Sequence, residues 1–132
     1  MIGNKNAIIF IFAGLVSFIM ENRVKSGCKK TFKTNLISFL HNFGSIYLFF
    51  GSYLFGYHLF HLLILIIVVI LWKVYSMCIV TIYYNNLCGI SSKRSFHDIF
   101  YLINTQLKIP HFHYLMVLVV GLYDIKNILY KQ

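Results

Sequence analysis

The chain has 132 residues, 59% of them hydrophobic and 18% aromatic, with only 11% charged. So little charge cannot cover the surface of a soluble domain of this length, and the composition points to a single all-α, polytopic membrane domain over 1–132. The excess of 12 Lys+Arg over 3 acids is read as span-flanking charge that fixes topology; no basic run is interleaved with aromatics on a soluble face, which excludes nucleic acid as a partner.

Ala appears only at Ala7 and Ala13 and Pro only at Pro110, while Ile, Phe, Tyr, Asn and Lys abound. These favoured residues have AT-rich codons, which points to an AT-rich genome, viral, organellar or protist. The three cysteines, Cys28, Cys78 and Cys88, are odd in number and contain no C-x-x-C pair. That argues against a disulfide framework and a thioredoxin-like centre.

In chain order, a first span is expected over 4–21, uncleaved, because no small-x-small processing site follows it. A basic connection comes next, with Arg23, Lys25, Lys29, Lys30 and Lys33, read as facing water or headgroups. The second span, 36–57, is rich in Phe and Tyr. Gly44, Gly51, Ser45 and Ser52 recur in it at heptad spacing. Small residues on one stripe let a neighbouring helix approach closely in lipid. The span holds no potassium-filter motif. Gly56-Tyr57-His58 then leaves room only for a tight hairpin, with Gly56 supplying the turn.

Residues 59–72 read LFHLLILIIVVILW, with nothing ionised. Extended to 77, the run reaches the ~20 residues that a helix needs to cross a bilayer. Lys73 can snorkel to the interface beside Trp72 and Tyr75. After a long connection carrying Lys93 and Arg94, residues 95–107 read SFHDIFYLINTQL. Phe96, Ile99, Phe100, Ile103 and Leu107 share one side, and Ser95 with Asp98 resembles a capping box. An amphipathic interfacial helix is expected there. Pro110 ends it, and 114–130 forms the fourth span, with Asp124 read as an interfacial residue near Lys126. The basic connections alternate with neutral ones. Lys29, Lys30, Lys33, Lys93 and Arg94 therefore belong on the cytoplasm-equivalent side, and both termini on the other.

Six histidines invite a metal or haem reading. His58 and His61 are spaced to share a helix face, but at ~1.5 Å rise per residue His41 lies roughly 20 Å from His61 along the hairpin, too far for one haem. His41, Cys78, His97, His111 and His113 gather at the inner side as candidate metal ligands. Their spacing matches no zinc or di-iron pattern, so no metal and no cofactor is assigned. No nucleophile elbow, P-loop or paired carboxylate occurs. Cys78, Thr81 and Asn85, at i, i+3 and i+7, are read as one polar helix face turned to a helix interface.

Residues 78–87, Cys-Ile-Val-Thr-Ile-Tyr-Tyr-Asn-Asn-Leu, resemble the C-P-L-T-x-x-E-N-x-L signature of a family of small multi-span bacterial membrane proteins classed only as a domain of unknown function. Leu59-Phe60-His61 resembles the family's Leu-His pair 17 residues before the Cys. Leu40-His41 resembles an earlier pair, and Phe96-His97-Asp98 its aromatic, His and acid segment. The signature's Pro position holds Ile79 and its Glu position Tyr84. C-x-x-T…N-x-x-C patterns also occur in small membrane proteins of giant DNA viruses. The resemblance implies a four-helix membrane fold and no activity. The expectation is a non-enzymatic structural or accessory component that meets lipid and other membrane subunits. The alternatives are a haem- or metal-binding subunit of a redox complex and a small channel or carrier.

Overall fold

A computed structural model describes residues 4–23, 28–90 and 99–130. The described residues form helices α1 (Asn4–Arg23), α2 (Phe32–Phe55), α3 (His58–Tyr75), α4 (Ile79–Cys88), α5 (Ile99–Leu107) and α6 (Phe112–Tyr130). Three of them, α1, α3 and α6, are long and apolar enough to cross a membrane, one fewer than the four expected. α2 is the helix that falls short. At 24 residues it is the longest, but Lys33, Ser38, His41, Asn42, Ser45 and Ser52 interrupt its apolar character.

The reason lies in where α2 sits. It packs against α1, α3, α4 and α6, and it buries Thr34, Ser38, Asn42 and Ser52 together with Ile46, Leu48, Phe49 and Leu54. Polar side chains that face other helices can find partners, so the central helix tolerates them. The outer helices have the reverse character. α1 turns Phe10, Gly14, Ser17 and Glu21 toward the bundle, spaced at three or four residues, and exposes Ile8, Ile9, Phe12 and Leu15. α3 buries only His58, His61 and Leu65 and exposes Leu63, Ile66, Ile67 and Ile70.

Local signals set the helix ends. Thr31 caps α2 and forms a capping box with Thr34. Gly56 ends α2 at φ 71° and donates its N–H to Ser52 O at 2.8 Å. Its left-handed backbone is one that a residue with a Cβ adopts at a cost. Ser76, at φ 61°, ends α3 and delivers Cys78 to the N-cap of α4, a short helix separate from the third span. Lys108 and His111 take left-handed conformations on either side of Pro110, between α5 and α6. α5 divides the expected apolar stripe: Phe100 is buried against Phe49, with ring centroids 4.3 Å apart, while Ile103 and Leu107 are exposed. The proposed Ser95–Asp98 box, Phe96, His97, Lys93 and Arg94 lie outside the described residues.

A disulfide joins Cys28 to Cys88, 60 residues apart. This corrects the reading of the cysteines: an odd count leaves one thiol free without preventing the other two from pairing. The bond ties the segment before α2 to the end of α4, so both belong to the same end of the bundle.

Candidate functional site

Among the described residues three polar clusters stand out, each carried by α2 and a neighbour. The first joins α1 to α2. Glu21 accepts hydrogen bonds from Ser38 Oγ at 2.7 Å and from the Asn42 amide, which also donates to Ser38 O at 2.8 Å. Ser17 Oγ donates to Asn42 Oδ1 and accepts from the Ile99 N–H at 3.3 Å, tying the start of α5 to α1. Ser17 and Asn42 are fully buried. The cluster is absent from the sequence expectations above. Its signal was present: Ser17 with Glu21, and Ser38 with Asn42, are i, i+4 polar pairs in apolar helices.

The second cluster joins α2, α3 and α6 around Asp124, which is fully buried, near the hairpin end of α2 and α3. Asp124 Oδ2 lies 2.7 Å from His61 Nδ1, and Oδ1 lies 3.1 Å from His58 Nδ1 and accepts from Ser52 Oγ. Ser52 Oγ is also 2.7 Å from His58 Nδ1. The other nitrogen of His61, Nε2, is 3.1 Å from the Tyr47 carbonyl oxygen. A carbonyl only accepts, so Nε2 carries a proton. One further proton is then shared between His61 Nδ1 and Asp124. Wherever it sits, the two side chains together carry no net charge, which is how a carboxylate can be held inside such a bundle. Lys126, expected near Asp124, is exposed on α6 and outside this network.

The third cluster holds the free thiol. Cys78 hydrogen-bonds His41 of α2. Burial pushes the thiol up, but the bond to His41 and its charge, with the Thr81 and Val80 N–H groups, outweigh burial and bring it down to about 7. Those two N–H groups face the sulfur from the first turn of α4 without closing a capping bond. Both partners line a cavity of about 460 Å³. Its walls include Leu48, Phe49, Ile64, Val68 and Trp72, and Thr81 and His113 add polar atoms. Trp72 stands edge-on to His113 and to Tyr114, with ring centroids 6.2 and 5.8 Å apart. On α4, Thr81 and Asn85 are buried.

The remaining expected positions divide. Gly44 borders the cavity, and a Cβ there would meet nothing within 4 Å, so it does not mark close helix packing. Gly51 is buried, but its close neighbour is the Tyr47 ring of its own helix, 2.6 Å from a Cβ. That ring in turn stands edge-on to His61 at 5.4 Å. The close approach between helices occurs at Gly14, where a Cβ would lie 2.6 Å from the Phe43 ring. His41, Cys78 and His113 share the cavity, whereas His111 is exposed at the start of α6. Among the described residues no group of three or more His, Cys, Asp or Glu is arranged to hold a metal ion. Lys29, Lys30, Lys33 and Lys73 are exposed, and Lys30 Nζ donates to Asn22 O at 2.7 Å. Comparison of the chain with family models, curated proteins and solved structures finds no match.

Proposed function

We propose that the chain is an integral membrane protein in which α1, α2, α3 and α6 cross the bilayer, and that it serves as a non-enzymatic structural or accessory component of a membrane or membrane assembly. One observation carries this reading: polarity is inverted. The side chains turned outward on α1, α3 and α6 include Ile8, Phe12, Leu63, Ile67, Leu118 and Leu122. Those turned inward include Ser17, Glu21, Asn42, Ser52, His61 and Asp124. A water-soluble protein rarely exposes so continuous an apolar surface. Lipid or a neighbouring membrane subunit covers it without cost. Counted as a span, α2 turns its polar Thr34, Ser38, Asn42 and Ser52 to other helices and apolar Leu36, Leu40 and Phe50 outward, so its mixed composition suits its place.

The disulfide supports a topology with both basic connections at one end, since Cys28 and Cys88 are bonded. Two cues disagree on which side that end faces. Basic flanks are retained on the cytoplasmic side, whereas disulfides persist in oxidising compartments. Charge acts during insertion, before the bond can form, and we assign this end to the cytoplasm-equivalent side. There the bond requires a local oxidant. The test of function is assembly. In mild detergent the chain is expected to run within a discrete larger complex that is lost when the chain is removed. A chain that runs alone, and whose removal changes no membrane complex, contradicts the reading.

The buried Asp124–His61 pair favours a second reading, a small proton or ion carrier. Proton flux into vesicles that the wild-type chain supports and Asp124→Asn abolishes would replace the structural role with that one. For the haem- or metal-binding alternative, the juxtaposition of His41 and Cys78 is the relevant feature; its test is an optical spectrum with elemental analysis of the purified chain.

A further inference from the structure

The cavity at Cys78 has a shape of chemistry that a purely structural bundle does not need. Its volume of about 460 Å³ falls within the ~300–1,000 Å³ of pockets that hold small molecules. Most of the wall is apolar, from Leu48, Phe49, Ile64, Val68 and Trp72. Cys78, His41 and Thr81 also line it, with the thiol and the His41 imidazole hydrogen-bonded to each other. The sulfur sits at the N-terminus of α4, whose partial positive charge favours a thiolate and an oxyanion beside it. Three lining residues, Leu40 at 57%, Tyr114 at 44% and Gly44, are exposed, so the cavity opens on the flank of α2, and a Cβ at Gly44 would meet nothing within 4 Å. An apolar chamber with a flank opening and a nucleophile in one corner fits a ligand with a long apolar tail and an electrophilic head.

We propose that Cys78 is an acyl-acceptor site: the cavity seats the chain of a long-chain acyl thioester, and Cys78 takes the acyl group in thioester linkage. The Cys78 thiol gives its proton to His41, and the sulfur attacks the carbonyl carbon of the donor thioester. A new carbon–sulfur bond forms, the donor's carbon–sulfur bond breaks, and the departing thiolate takes the proton held by His41. The products are acyl-Cys78 and the free donor thiol, with no net oxidation. His41 is a catalytic residue of this single transfer, since it bonds the reacting sulfur. The acylated chain then fills the cavity from within. The modification goes beyond the structural role, and it is read by chemistry rather than assembly, so either reading can fail alone.

The native chain suits the test, because Cys28 and Cys88 are bonded and Cys78 is the free thiol. The purified, non-reduced protein in phosphatidylcholine vesicles is incubated with an alkyne-tagged palmitoyl thioester of coenzyme A. The expected result is label at Cys78 that neutral hydroxylamine releases, none in Cys78→Ala, and transfer about 10²-fold slower in His41→Gln at neutral pH. Acetyl-coenzyme A should react far more slowly than the long-chain donor. Gly44→Leu, which projects into the cavity, should slow long-chain transfer while leaving alkylation of Cys78 by iodoacetamide unchanged. Absence of hydroxylamine-labile label on the wild-type chain overturns the proposal. So does label that persists in Cys78→Ala, or equal transfer from the acetyl and long-chain donors. Should Cys78→Ala fail to fold, the site of label on the wild-type chain, read by peptide mass spectrometry, decides the matter.

Discussion

Asp124 and Cys78 are the residues whose chemistry depends most on their surroundings. Asp124 is held by His61, His58 and Ser52 inside the bundle. Replacing it with Asn removes the carboxylate but leaves His61 bonded to the Tyr47 carbonyl. Leaving a buried hydrogen-bonding group without its partner costs about 1–3 kcal/mol. Asp124→Asn should therefore lower stability against denaturant in detergent by that order. Asp124→Leu combined with His61→Leu should cost less than the two single changes added together. Full additivity would mean that the pair is not coupled. For Cys78 the sign of the pH dependence follows from a thiol brought from its usual value near 9 down to about 7. The folded state favours the thiolate. Its linked stabilisation is complete above about pH 9 and is lost as pH falls through about 7. Alkylation of Cys78 should rise with pH to half its maximum near 7. In His41→Gln that midpoint should move toward the ordinary thiol range. An unmoved midpoint would show that His41 does not set the thiol's state.

At the scale of elements, glycines separate packing from backbone geometry. Gly56 has nothing within 4 Å of a Cβ, so Gly56→Val does not crowd the turn; the cost comes from φ 71°. About 1–2 kcal/mol is expected for an L-residue forced into the left-handed region. Gly14→Val sets a Cβ against the Phe43 ring at 2.6 Å, and overpacking of this kind costs about 1–3 kcal/mol. Gly44→Leu faces open space and should leave thermal stability unchanged. Melting temperatures of the three variants in one detergent check the order; loss of stability in Gly44→Leu equal to that in Gly14→Val would contradict this packing. The disulfide closes a long loop, and the chain-entropy model assigns such a bond about 4 kcal/mol at most. Inserted helices restrict the unfolded chain as well, so reduction should lower stability by less than that. Heptad spacing made Gly44 and Gly51 visible in the sequence, whereas Gly14 stood alone and its partner Phe43 lay on another helix. Spacing along one helix reports which residues share a face. It does not report which face another helix meets.

Across the whole molecule, the sequence was most legible where one helix carries the message alone. The ionless run 59–72, the turn at Gly56 and the stop at Pro110 can be read locally, and α3, the α2 cap and the break before α6 correspond to them. The hairpin count also brought His41 toward Cys78, and both line one cavity. What stayed hidden needed segments far apart in the chain. The burial of Asp124 was hidden because its partners, Ser52, His58 and His61, belong to α2 and α3. The Cys28–Cys88 bond was hidden because an odd cysteine count does not say which two thiols meet.

α2 carries all three polar clusters, and by composition alone it is too polar to be counted among the helices that can cross a membrane. The direct measurement is side-specific labelling of single cysteines in membrane vesicles, at Lys30→Cys just before α2 and at Tyr57→Cys just after it, with Cys28, Cys78 and Cys88 replaced by Ser. Both positions are exposed. A membrane-impermeant maleimide is predicted to reach one from outside the vesicle and the other only after the membrane is opened. If both are labelled from the same side, α2 does not cross, and the account of an interior polar helix inside a membrane bundle is wrong.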